Sequence, residues 1–125
     1  RLAALRSEDG FTLTELLVVI MIIGILLAIA IPAYLGFRDR AENASVQSNV
    51  RATVPAVETY FADNGTYATM TEAGLRAIDA AIPNGISVES AAAQTYCIPY
   101  TDPSNHTNVA RKNGPTAAIE LLACP

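Results

Sequence analysis

The scarcities of this 125-residue chain narrow its function first. It has one histidine, His106, and two cysteines, Cys97 and Cys124, whose spacing fits neither CxxC nor any zinc-ligand pattern. No GxSxG, HExxH or phosphate-cradling glycine-rich loop occurs. Asp102, His106 and the serines therefore form no catalytic constellation, and the chain does not read as an enzyme. Basic residues are few: eight against twelve acidic ones, for a net charge of −4. Arg111-Lys112 is the nearest thing to a basic cluster, which argues against nucleic acid as a main partner. Asp102, Asn105 and Asn108 could offer oxygens to calcium, but only one of them is a carboxylate. No metal or cofactor is expected. Aromatic residues are 6% of the chain, a content that suits core packing and a few exposed contacts.

Charge is also missing from one long stretch. Between Leu16 and Ile31 there is no charged side chain, and with its flanks, residues 11–37, the run is long enough to cross a bilayer, which takes about 20 residues. A domain this small could hardly cover a helix that is apolar on every side, so the segment reads as a membrane anchor. Glu15 at its head is the anomaly. An ionisable group in a membrane segment is a candidate functional site, and the alternative is that it only marks the headgroup zone where the anchor starts. In a chain with a membrane-targeting segment, Cys97 and Cys124 read best as a disulfide formed in an oxidising compartment. Closing a loop of about 28 residues should stabilise the fold by roughly 3–4 kcal/mol.

The stretch Gly10-Phe11-Thr12-Leu13-Thr14-Glu15, followed by the apolar run, resembles the class III signal of type IV prepilins and of type II secretion pseudopilins. The likeness extends over residues 5–67, where YFADNGTY (60–67) is similar to the helix end and loop start of many pilins. It implies a leader of residues 1–10, cut between Gly10 and Phe11 by a prepilin peptidase that then methylates Phe11. It implies that Glu15 meets the N-terminal amine of a neighbouring subunit in a homo-oligomeric helical filament. The partners so implied are the cytoplasmic membrane, which holds the precursor, and an assembly platform with its ATPase. Thr14 stands where the family usually has an aliphatic residue, and its hydroxyl could support Glu15. Gly24 and Pro32 fall in the segment that tends to lose helicity when such subunits pack. Major pseudopilins carry calcium, for which the donors here are poor. The implied role is a pilin of a surface filament in adhesion, motility or DNA uptake. The rivals are a pseudopilin of a secretion or competence system and an anchored binding domain that never polymerises.

From Arg38 the pattern becomes amphipathic, with Ala41, Ala44, Val50, Val54, Val57 and Tyr60-Phe61 at helical intervals up to Asp63-Asn64-Gly65. Pro55 is expected to bend or break this helix. Beyond it, residues 65–125 form a head. A short helix is expected from Thr71-Glu72, carrying Leu75, Ile78 and Ile82. Strands are expected at 85–90, at 95–100 with Pro99 placing it toward an edge, and at 116–124. A turn-rich loop is expected over 101–115. The fold class is α+β, a long helix laid on a small antiparallel sheet. Asn-x-Ser/Thr triplets at Asn43, Asn64 and Asn105 are possible glycosylation sites.

Overall fold

The computed structural model describes residues 10–104 and 106–125. Two units are present, one ending at Phe37 and one spanning Arg38–Pro125. A single helix, α1 (Leu13–Asn64), supplies most of the first and begins the second. Every described side chain of the first unit is exposed.

Neither Gly24, Pro32 nor Pro55 interrupts α1, so the expected break at Pro55 does not occur. A proline removes one ladder bond at a cost of about 3 kcal/mol, which a cooperative helix of this length absorbs. Around Pro55 the turn is also held from both sides, by buried Thr53 and by buried Ala56 and Val57. The Thr59 hydroxyl donates to the Pro55 carbonyl at 2.9 Å. The helix ends where Gly65 turns to φ +69°, its N–H donating to the Phe61 carbonyl.

In the second unit the buried stripe of α1 is Val46, Val50, Thr53 and Val57, with Ala56 beside it. Ala41 and Ala44 are exposed. Thr53 belongs to the stripe because its hydroxyl is satisfied by the Asn49 carbonyl at 3.1 Å. Helix α2 (Glu72–Ile78) is capped by Thr71, whose Oγ1 accepts from the Gly74 N–H at 3.1 Å. It stops short of Ile82 because the Asp79 side chain takes the Ala81 N–H, a bond that competes with the helix ladder.

Four antiparallel strands follow in the order β1 (Ser90–Ala91), β2 (Tyr96–Thr101), β3 (Val109–Asn113) and β4 (Ile119–Glu120). Three expectations need correcting. The stretch 85–90 is not a full strand: only Ser90 joins β1, and Ile86 makes a single bridge to Tyr100. Likewise 116–124 contributes only Ile119–Glu120. Third, β2 is an inner strand despite Pro99. The Pro99 carbonyl accepts from Ser87 N–H, so the missing amide hydrogen faces the loosely paired segment before β1 and costs the β2–β3 ladder nothing.

The loop expected over 101–115 contains β3, hidden in VARKN by its charges. Lys112 is buried, its ammonium donating to the Pro115 and Ala117 carbonyls at 3.1 and 2.8 Å. Arg111 pairs with Glu120 across β3–β4 at 2.9 Å and reaches the Ala123 carbonyl at 2.7 Å. This basic pair is structural.

The core joins Val46, Val50 and Val57 of α1 to Leu75, Ile86, Tyr96, Ile98 and Ala110. The buried Cys97 is bonded to Cys124, tying the C-terminal segment to β2. At Gly85, φ is +104° and an added Cβ would collide with the Thr101 carbonyl oxygen. Gly85→Ala is therefore expected to cost about 2 kcal/mol or more, measured by thermal unfolding of the detergent-solubilised chain. An unchanged midpoint would show that this turn is free to relax.

An aromatic ladder closes one end of the core: Phe61 to Tyr67 at 4.5 Å between centroids, and Tyr67 to Tyr96 at 4.7 Å. The Tyr96 hydroxyl is buried and makes no hydrogen bond within the described residues. Burial, with the nearby Glu58 carboxylate adding to it, pushes the Tyr96 phenol well above its usual range and Tyr67 in the same direction. A proton held more tightly in the fold contributes stability below the unfolded phenol's pKa, about 10, and that contribution is lost as pH rises past it. The unfolding midpoint should fall above about pH 10, and Tyr96→Phe should remove the larger part of that fall. At neutral pH the same variant should change stability by less than about 1 kcal/mol. A variant with the wild-type alkaline profile would contradict this.

Candidate functional site

Glu15 lies in the first turn of α1, and its surroundings follow from the order Thr-x-x-Glu. Thr12 caps the helix: the Glu15 N–H donates to the Thr12 hydroxyl at 3.2 Å. In return Glu15 Oε2 accepts from the Thr12 N–H and from the Thr12 hydroxyl, each at 2.8 Å. This is a capping box, in which two otherwise orphaned N–H groups are satisfied reciprocally. Within the chain, the residue that hydrogen-bonds Glu15 is thus Thr12, and among the described residues Thr14 makes no such bond to it. The signal for Thr12 was present, since Ser or Thr three residues before Glu at an apolar helix start is the box's signature.

Gly10 and Phe11 precede the helix, in chain with no regular structure. Gly10 is exposed and Phe11 is 88% exposed. From Phe11 to Phe37, eighteen large apolar side chains are exposed, the least of them Val19 at 46%. At about 1.5–3 kcal/mol for each side chain fully buried, this segment cannot remain in water. Residues 13–37 rise roughly 37 Å as a helix, enough to cross a hydrocarbon core of about 30 Å. One carboxylate, capped from its own chain, therefore sits at the entrance of a helix that must be covered by lipid or by other helices.

The other candidates fall in the second unit. The Asn108 amide donates to Glu42 Oε2 at 2.6 Å, and Arg38 pairs with Glu42 Oε1 at 2.8 Å. Asp102 accepts from the Ser104 N–H and hydroxyl. Asp102 and Asn108 thus fasten the 102–108 loop to itself and to α1. The Arg38 guanidinium, helped by Asn108, holds the Glu42 carboxyl below its ordinary pKa. His106 is exposed. Asn43 is half-buried; Asn64 is exposed at the end of α1, its amide donating to the Tyr60 carbonyl at 2.9 Å. Positions 1–9 of the expected leader and Asn105 lie outside the described residues.

Residues 5–31 match the family model described as the prokaryotic N-terminal methylation motif. The type IV wide pilus major component of Thermus thermophilus is 39% identical over 98 residues, 75% of this chain and 73% of its own length. The chain belongs to the type IV pilin and type II secretion pseudopilin family. Type II secretion system core protein G of Klebsiella michiganensis is 42% identical over 73 residues, 58% of this chain and 51% of that protein. The type IV major pilin protein of Myxococcus xanthus is 41% identical over 58 residues, 46% of this chain and 26% of that protein. The chain thus spans about half the length of the secretion relative. In this chain the matched motif, residues 5–31, overlaps the start of the apolar helix and its capped glutamate.

Proposed function

We propose that this chain is the structural subunit of a type IV pilus-like surface filament, built from a membrane-anchored precursor and without catalytic activity of its own. The observation that carries the reading is the capping box at Glu15, at the entrance of an apolar segment whose side chains are exposed from Phe11 to Phe37. A prepilin peptidase cuts the unstructured Gly10–Phe11 bond and Phe11 is methylated. Processing leaves a charged amine at Phe11, four residues from Glu15. Inside an apolar bundle, amine and carboxylate each carry a large desolvation cost that is offset only when they meet. The contact between the Glu15 of one subunit and the amine of the next therefore sets register more than it adds stability. Assembly exchanges the Thr12 bonds of Glu15 for that contact, under an assembly platform and ATPase. Thr14 flanks the contact, and Gly24 and Pro32 are where α1 melts when subunits pack. Asn64, exposed, and Asn43, half-buried, are the candidates for glycosylation among the described residues.

A pseudopilin of a secretion system is the second reading, favoured by the 42% identity to type II secretion core protein G over 73 residues. The pilin reading is preferred because the likeness to the wide pilus component covers 75% of this chain, against 58% for the secretion relative. Intact mass and N-terminal sequencing of protein sheared from the cell surface test the proposal. The expected product starts at Phe11 and carries one added methyl group. A membrane-bound product uncut before Phe11, with none in the sheared fraction, would leave an anchored domain that does not polymerise.

A further inference from the structure

Three Asn-Gly pairs occur in the head and at its helix end: Asn64-Gly65, Asn84-Gly85 and Asn113-Gly114. Such pairs are prone to deamidation because glycine, lacking a Cβ, lets its backbone nitrogen approach the preceding side chain. The fold treats the three differently. The Gly65 N–H donates to the Phe61 carbonyl at 2.7 Å, and the Asn64 amide is itself bound to the Tyr60 carbonyl. The buried Gly114 donates its N–H to the Tyr96 carbonyl at 2.7 Å, at the end of β3. The Gly85 N–H has no acceptor among the described residues, and the exposed Asn84 side chain makes no hydrogen bond there either. The turn that carries them is closed by a long bond, Ile86 N–H to the Pro83 carbonyl at 3.5 Å.

We propose that Asn84 is a modification site of this chain, at which water converts the side-chain amide to a carboxylate without an enzyme. The Gly85 nitrogen attacks Asn84 Cγ and gives up its proton to solvent. The bond from Cγ to the side-chain nitrogen breaks and ammonia leaves, closing a five-membered succinimide. Water then adds to either carbonyl carbon and opens the ring to aspartate or isoaspartate. Where a glycine N–H is already bound, the nitrogen is neither free to rotate nor easily deprotonated, and the hydrogen bond must first break. The product adds one negative charge to the head and, as isoaspartate, one methylene to the main chain. That insertion falls beside Gly85, whose carbonyl accepts from the Thr101 N–H at 2.9 Å and whose Cα leaves no room for a Cβ. Conversion therefore loosens the junction between this turn and the end of β2, and accumulates with the age of the protein.

The test incubates the full-length chain in detergent at mildly alkaline pH, native and in guanidinium, until the denatured sample has converted. Peptide mapping by mass spectrometry then follows all three asparagines, and electron-transfer fragmentation identifies isoaspartate. In the native chain Asn84 should convert on the order of tenfold faster than Asn64 and Asn113; in the denatured chain the three should convert at comparable rates. Asn84→Gln, which would need a less favourable six-membered ring, should abolish the early native product. Native conversion of Asn64 or Asn113 as fast as Asn84 would overturn the proposal. So would an intact Asn84 in the native chain.

Discussion

Cells carrying Glu15→Ala are expected to insert the chain in the membrane at wild-type level and to release almost none of it on shearing. On the proposed assembly, the loss follows from leaving the Phe11 amine buried and unpaired in the filament core. Removing one partner of a buried ion pair costs about 3–5 kcal/mol, and each 1.4 kcal/mol is roughly tenfold, so every subunit addition would be disfavoured by more than about a hundredfold. Glu15→Gln separates charge from hydrogen bonding. It keeps an acceptor for the Thr12 N–H, so helix capping survives while the pairing is lost. If charge is what matters, glutamine should fail nearly as badly as alanine. Thr12→Ala should cost only the cap, about 1 kcal/mol, and leave filaments in reduced amount. Immunoblots of sheared and membrane fractions read all three. Wild-type filament yield from Glu15→Ala would remove the register argument.

Separating Cys97 from Cys124 should have the largest effect on the head. Double replacement by serine is expected to cost roughly 3–4 kcal/mol, from the loop-closure entropy of the unfolded chain. For a unit of this size that corresponds to a fall in the thermal midpoint of about 15–25 °C. The location adds to the loss, because Cys97 is buried in an inner strand and its replacement puts a hydroxyl there. The C-terminal segment would keep its pairing with β3 and the polar contacts that Arg111 and Lys112 make to it. Thermal unfolding of oxidised and reduced wild-type chain, beside the double variant, checks the figure. A shift of only a few degrees would mean that those polar contacts hold the segment unaided.

The long helix, its end at Gly65 and the Cys97–Cys124 bond were legible because each rests on local chemistry: apolar length, a left-handed glycine and an even cysteine pair. Strand β3 was not. Its sequence, VARKN, carries two cations, and only the fold reveals that Lys112 is buried because the Pro115 and Ala117 carbonyls receive its ammonium. Pro99 misled for a related reason. The rule that proline marks an edge depends on which side the absent N–H faces, and that is fixed by pairing. Ala41 and Ala44 follow the helical period but are exposed, whereas Thr53 is buried with its hydroxyl bonded within its own helix. At the site, Glu15 stood out as a carboxylate in an apolar run. Its partner Thr12 is readable from the order Thr-x-x-Glu at an apolar helix start.

The strand order β1-β2-β3-β4 has a kinetic consequence. Each strand pairs with its neighbour in the chain, so no strand waits for a distant segment before it can add. Domains with such local contacts fold faster than those built on long-range pairings. A head of this topology can close progressively along the chain, with the interval spent exposing Tyr96, Ile98 and their neighbours kept short. For a subunit that assembles beside identical copies, as proposed, a brief exposure of sticky strands limits mispairing between chains.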